Sequence, residues 1–246
     1  MDEYGPATYG DAIAEVYDEL VGRWVEAETP AAVEFLADLA GPGPALELGI
    51  GTGRVALPLA ARGIPIHGID ASPVMVARLR AKPGGDRIPV AIGDFAEVGV
   101  DGQFRLIYVV FNTFFALLTQ EDQIRCFQNV ARRLTDDGCF VIEAFVPDPA
   151  RFDRGQRVHA DDVGLGRVVL EAATHDPVNQ QVHSVHVVIT ETGLKLYPVK
   201  LRYAWPAELD LMARLAGLRL RERWGGWGRE PFTGRSPKHI SVYARG

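Results

Sequence analysis

The sequence predicts an α/β protein built on a doubly wound, mostly parallel sheet, and three observations carry that prediction. Short apolar strands alternate with amphipathic helices from residue 45 to residue 145, the rhythm of a parallel sheet covered by helices on both faces. The first strand runs into glycines at alternate positions, in Ala45-Leu46-Glu47-Leu48-Gly49-Ile50-Gly51-Thr52-Gly53-Arg54. Glycine serves where a turn needs positive φ or a ligand must approach the backbone, and the helix that follows aims unpaired N–H groups at whatever binds there. From about residue 150 the pattern changes to alternating, β-branched runs without helices between them. These predict an antiparallel β insert.

The 246 residues, 47% hydrophobic and 24% charged, suit one large α/β domain with an inserted cap. The expected divisions are a helical cover over 1–40, a binding core over 41–149, the insert over 150–205, and a last helix and two strands over 206–246. A net charge of -6 argues against a broad phosphate-binding face and so against a nucleic-acid partner. No apolar run approaches a membrane span, and the first residues are acidic. A cytoplasmic protein without a membrane partner is the expectation, as a monomer or homodimer. Cys126 and Cys139 stand in apolar patterns without metal-ligand spacing and read as buried thiols, with no metal implied.

Each element has its own reason. Ile13, Val16, Tyr17, Leu20, Val21 and Trp24 recur at helical spacing and predict an amphipathic helix over 11–24. Thr29-Pro30 opens a second helix that stops at Gly41-Pro42. Strand 45–48 leads through the glycines to a helix over 54–62. Strand 65–70 ends on Asp70, and Ser72-Pro73 caps the next helix. A short strand at 89–92 ends in Gly93-Asp94-Phe95. Residues 104–111 are nearly all apolar, as a parallel strand buried on both faces should be. Thr119 and Asp122 form a variant capping box for a long helix, and Asp136-Asp137-Gly138 turns the chain into strand 139–145. Antiparallel strands follow at 167–174, 182–190 and 194–205, then a helix over 206–216 and strands at 218–224 and 239–244. Arg219, Arg221 and Arg223 alternate, so they share one face of their strand.

An adenosine-bearing ligand needs a close backbone turn, an acid for its ribose hydroxyls and a partner for the adenine edge. Gly49, Gly51 and Gly53 supply the turn, Asp70 an acceptor-only carboxylate beside Ala71, and Asp94 an acceptor for an exocyclic amine. Each stands at the carboxyl end of a strand, where open α/β sheets bind ligands. Glu47 lies inside an apolar strand, where a charge needs a partner, and reads as an orienting acceptor for the glycine turn or as half of an internal ion pair. Arg54 reads as a partner for a ligand carboxylate or for a surface acid. Met75 reads as core or as a wall beside adenine, and Tyr9 and Tyr17 as packing or as phenols closing over the site. Asn112, just after Phe111 at the end of the central strand, is a candidate catalytic residue or a turn former. His183 and His186 face opposite sides of one strand, and His159 and His175 stand near turns. His186 and His239 are candidate general bases. Tyr203, Trp205, Trp224 and Trp227 read as core packing, with some available to an apolar acceptor pocket.

Together, Glu47-x-Gly49-x-Gly51-x-Gly53, Asp70, Gly93-Asp94-Phe95, Phe111-Asn112-Thr113-Phe114 and Leu134-Thr135-Asp136-Asp137-Gly138 resemble the class I S-adenosylmethionine-dependent methyltransferases over roughly residues 10–145. That resemblance implies a Rossmann-like seven-stranded sheet with its seventh strand inserted antiparallel. It also implies S-adenosyl-L-methionine as cofactor, with the glycine turn under the methionine moiety. Asp70 would then hold the ribose, Asp94 the adenine amine, and the Phe95 N–H a ring nitrogen. The insert is similar in placement to those of the small-molecule branch, including amino-sugar N-methyltransferases of antibiotic pathways, which implies N- or O-methylation of a small-molecule acceptor in secondary metabolism. Two alternatives compete. Gly51-Thr52-Gly53-Arg54-Val55-Ala56 also satisfies a dinucleotide fingerprint, which would make the chain an NAD(P)-dependent oxidoreductase, and a non-catalytic cofactor-binding protein is the other. The earlier glycine, Asp94 and the lack of a Tyr-x-x-x-Lys pair favour methyl transfer.

Overall fold

A computed structural model describes residues 4–20 and 27–246. Its principal element is a seven-stranded sheet formed by β1 (Ala45–Leu48), β2 (Ile66–Asp70), β3 (Val90–Ile92), β4 (Phe104–Val109), β5 (Leu134–Phe145), β10 (Leu218–Trp224) and β11 (Lys238–Arg245). Their spatial order is β10-β11-β5-β4-β1-β2-β3. The pairs among β1 to β5 are parallel, whereas β11 runs antiparallel to both β5 and β10. The inserted antiparallel strand expected from the family resemblance is therefore present.

Alternation along the central strands builds the two cores. Ile107 and Val109 face a cluster with Phe114, Phe127, Phe140 and Tyr243, while Leu106 and Tyr108 face one with Phe35, Leu36, Leu59 and Trp227. Helices α3 (Thr29–Ala40), α4 (Ala56–Ala61), α5 (Pro73–Ala81), α6 (Gln120–Arg133) and α7 (Pro206–Leu215) cover the faces. Two predicted caps form, whereas Thr29 is the first helical residue, with Glu28 before it making no side-chain cap. The Ser72 hydroxyl accepts from the Met75 N–H, and the Thr119 hydroxyl from the Asp122 N–H. Cys126 and Cys139 are buried free thiols, and burial pushes that of Cys139 up to about 11.

Several expectations are corrected. The helix expected over 11–24 is broken: α1 (Thr8–Ile13) and α2 (Tyr17–Leu20) are separate short helices joined by a turn at 14–16, while Val21 and Trp24 lie outside the described residues. Strand 104–111 stops at Val109, because Phe111 and Asn112 both adopt left-handed φ, at 56° and 62°. Strand β5 begins at Leu134 rather than 139. The acidic Asp136-Asp137-Gly138 turn becomes an interruption of its ladder with β4, whose register shifts there. A register shift between Leu220 and Glu222 likewise breaks the arginine alternation on β10. Arg223 turns inward to Asp210, while Arg219 and Arg221 stay exposed.

The insert is a separate four-stranded antiparallel sheet in the order β6 (Gln156–Val163), β7 (Arg167–Asp176), β8 (Gln181–Thr190), β9 (Gly193–Arg202). Strand β6 was not expected, and it places His159 within a strand rather than at a turn. The sheet's inner face packs against the body at two places. Val188 and Tyr197 join Ile13 and Met75, and Val182 and Leu201 meet the cluster containing Phe115 and Leu117.

Candidate functional site

The carboxyl ends of β1, β2 and β3, the segment after β4, and the N-terminal helices enclose a cavity of about 260 Å³. Its floor is the glycine turn. Gly51 sits at φ 55°, and a Cβ added there would meet nothing within 4 Å, so its open side is the cavity itself. Gly53 serves a different end. At φ 81°, a Cβ there would come within 2.3 Å of Leu79, so this glycine allows the turn to pack on α5. Gly49 lines the cavity, whereas Gly53 does not.

Asp70 closes the turn. Its two carboxylate oxygens accept from the Gly51 N–H at 2.7 Å and the Ser72 N–H at 2.8 Å. Each oxygen keeps acceptor capacity for a further donor. Burial raises the Asp70 pKa despite those N–H bonds, and nearby Asp11 adds to the rise. Ala71, Met75, Asp94 and Phe95 line the adjoining wall, with one Asp94 oxygen held by the Ala96 N–H. From the other side come Tyr9 and Tyr17. Burial pushes the Tyr17 phenol up to about 12 and raises Tyr9 further, so both remain protonated at neutral pH.

Glu47, Arg54, Phe111 and Asn112 stand outside the cavity wall besides Gly53. Glu47 lies beneath the turn, 3% exposed, and accepts a hydrogen bond from the Tyr108 hydroxyl at 3.0 Å. Burial drives its pKa up to about 8. Arg54 donates to the Thr29 hydroxyl and stands 5.7 Å from the centre of the Phe111 ring. Asn112 shapes the turn after β4, its side-chain oxygen accepting from the Phe145 N–H at 2.7 Å. Its neighbour Phe111 is fixed by Glu143, whose carboxylate accepts the Phe111 N–H at 2.8 Å and the Trp227 indole N–H at 3.0 Å.

The histidines are dispersed. His186 lies on the inner face of the cap sheet, with its Nδ1 3.3 Å from the Asp161 carboxylate, and does not line the cavity. His239 is fully buried in β11, where desolvation pulls its pKa down to about 3, so it is a neutral structural group rather than a base. Trp227 and Tyr203 pack in the cores and none of the four C-terminal aromatics reaches the cavity. Among the described residues no cluster could hold a metal ion, and no helix is long and apolar enough to cross a membrane. Sequence reasoning missed Tyr4, Thr113 and Leu117 as wall residues and read Asp122 only as a cap. The capping signature concealed the second placement of Asp122, and Thr113 directly follows the Phe111-Asn112 pair.

A glycine turn open to a cavity, a carboxylate braced by the turn's own amide, and a second acid on the next strand together fit an adenosine with a charged tail. Comparison with known proteins agrees. A methyltransferase-domain family model matches residues 45–138. The cypemycin N-terminal methyltransferase of a Streptomyces species is 31% identical over 252 residues, covering 98% of each chain. The solved structure of the CcbJ methyltransferase from Streptomyces caelestis superposes with a TM-score of 0.92 at 40% identity, over 98% of this chain and 99% of that one. CalS10 from Micromonospora echinaspora, an amino pentose methyltransferase solved with S-adenosylmethionine bound, shares the fold at 21% identity and a TM-score of 0.67, covering 91% of this chain and 92% of its own.

Proposed function

The chain belongs to the S-adenosylmethionine-dependent methyltransferases, and from that premise we propose that it methylates an amine nitrogen of a small molecule in secondary metabolism. One observation carries the choice of acceptor. The cavity wall contains three carboxylates, Asp70, Asp94 and Asp122, and three phenols, Tyr4, Tyr9 and Tyr17, but no lysine, arginine or histidine among the described residues. Such a wall favours the positive charge that develops on an amine nitrogen as it is methylated, and repels a phenolate or carboxylate acceptor. The relative named above as an N-terminal methyltransferase, 31% identical, supports nitrogen as the target, since a chain's N-terminus is an amine.

The bound cofactor supplies a methyl group on a positively charged sulfur, open to direct displacement by a lone pair. The chain's contribution is mainly alignment and exclusion of water. Gly49 and Gly51 would underlie the methionine moiety, and Arg54, outside the wall, would have to leave the Thr29 hydroxyl to meet its carboxylate. Asp70 would take the ribose hydroxyls and Asp94 the adenine amine. The Phe95 N–H would meet the ring, with Ala71 and Met75 flanking it. Glu47 supports the turn from below, and the Asn112 turn presents Phe111 at the end of β4. Tyr9 and Tyr17, protonated and held over the cavity, are placed to accept hydrogen bonds from the N–H of a free amine that has lost its proton to solvent before binding, which leaves its lone pair open for the displacement. His186 is proposed to act from the cap, outside the cavity wall, on acceptor groups beyond the reacting nitrogen. The divisions at 1–40, 41–149, 150–205 and 206–246 correspond in this reading to cover, cofactor core, acceptor cap and closing strands.

The test is a panel of primary and secondary amines, peptides with free N-termini, and phenols, assayed with isotopically labelled methyl donor. Labelled amines with unlabelled phenols are the expected result. Transfer to phenols alone would overturn the assignment to nitrogen. In the same assays, Asp94→Ala is expected to weaken cofactor binding about tenfold with the fold intact, as checked by calorimetry.

A further inference from the structure

Two short helices carry the tyrosines that close the cavity, and each helix is fastened to a cofactor turn by an aspartate close to its tyrosine. On α1, Tyr9 is followed by Gly10 and Asp11. The Asp11 carboxylate accepts the Ser72 hydroxyl at 2.5 Å. A Cβ on Gly10 would come within 2.7 Å of the Ser72 Cβ, so the glycine sets how closely α1 approaches. Ser72 is 1% exposed, and its N–H is the one that Asp70 accepts. On α2, Tyr17 is followed by Asp18. One Asp18 oxygen accepts the Thr52 hydroxyl at 2.6 Å and the other meets the Lys82 ammonium at 2.7 Å. Lys82 also donates to the Thr52 carbonyl at 2.9 Å, closing a triangle behind the glycine turn. Thr52, between Gly51 and Gly53, is itself 1% exposed.

The two attachments share one plan: a buried hydroxyl beside a cofactor-contacting residue donates to an acid on the cover. We infer that Asp11 and Asp18 are positioning residues that register the cover on the two cofactor turns, so that Tyr9 and Tyr17 close over bound cofactor and slow its release. The inference rests on the cavity being the cofactor's site. The energetics suit a closure that must reopen. Asp18 is half-exposed, and burial works to raise its pKa while the bonds from Lys82 and Thr52 outweigh that effect and lower it. A charge-assisted bond at such a site is strong enough to bias a closure without locking it.

The experiment titrates S-adenosylhomocysteine into the full chain and into Asp11→Ala, Asp18→Ala, Thr52→Val and the Asp18→Ala/Thr52→Val double variant. Release rates come from stopped flow, and hydrogen exchange is followed over residues 8–20. Each aspartate variant is expected to bind about five- to tenfold more weakly, mainly through faster release, and to lose the slowing of exchange that the ligand produces in the unaltered protein. If Asp18 works through Thr52, the double variant is no weaker than the poorer single one. Asp18→Asn, which keeps the Thr52 bond but loses the Lys82 ion pair, is expected to fall between. Variant affinities and release rates within twofold of the unaltered protein would overturn the inference, as would losses that multiply in the double variant. Failure of the unaltered protein to bind would instead sink the cavity assignment beneath it.

Discussion

The two sheets of this molecule are built to opposite specifications. Strand β1 is buried at every position, and β4 at all but Arg105. Of the eight residues of β6 none is buried, and of the ten in β8 only Ser184 is. The parallel sheet is thus packed from both sides, and its strand ends are fixed where the cavity forms. The cap sheet touches the body through a few inner-face side chains and leaves Val158, Val163, Leu194 and Leu196 exposed. The difference teaches that the parallel sheet is under packing constraint on both faces, while the outer face of the inserted sheet is under little.

The sharpest way to break this comparison is to truncate one large apolar side chain on each side. Phe127 is fully buried against Phe114, Phe140 and Tyr243. Phe127→Ala is expected to cost about 3–5 kcal/mol in denaturant unfolding. Leu196→Ala, on the exposed side of the cap, is expected to stay within about 0.5 kcal/mol. Equal losses would mean that the cap is as tightly integrated as the body.

A second comparison lies within the glycine turn. Gly51→Val is expected to lower the melting point through the strain of a β-branched residue at φ 55°, and to abolish S-adenosylhomocysteine binding because its side chain enters the cavity. Gly53→Val should unfold the protein more readily, because its side chain meets Leu79. A Gly51 variant that still binds would remove the floor from the proposed site.

The last contrast is electrostatic. The folded-state pKa of Glu47, about 8, lies above the 4.5 of the free side chain. Between those values the folded state holds a proton that the unfolded chain has lost, so stability falls as pH rises through that window and levels off above it. Glu47→Gln retains an acceptor for Tyr108 but lacks this dependence. Thermal scans without cofactor should therefore show the variant melting above the unaltered protein at pH 8.5, with the gap closing near pH 5. A gap independent of pH would assign the effect to packing instead.

These contrasts also explain how much the sequence revealed. The parallel strands were legible because a strand buried on both faces is an apolar run, and their caps because Ser72 and Thr119 carry local signatures. Gly51, Asp70 and Asp94 were legible as a constellation because each follows a strand at a fixed place. Strand β6 was not, because Gln156–Val163 buries nothing and carries no periodic apolar signal. The break between α1 and α2 was hidden because Ile13, Val16 and Tyr17 keep helical spacing across it. Tyr4 and Leu117 reach the cavity only through tertiary folding, and the partners of Glu47 and Asn112 come from strands 61 and 33 positions away.

Strand β11 has one more consequence, for the order in which the molecule is made. It lies between β5 and β10 and pairs with both, yet it follows both in the chain. A ribosome therefore delivers the five parallel strands and the whole cap while one flank of β5 still lacks its partner, and β10 emerges with no strand of the sheet to join. Closing that flank falls to residues 238–245. During synthesis the cofactor turn precedes the last stitch of the fabric by about three quarters of the sequence, and a nascent chain arrested before that stitch would present an open β5 flank to chaperones and to other chains.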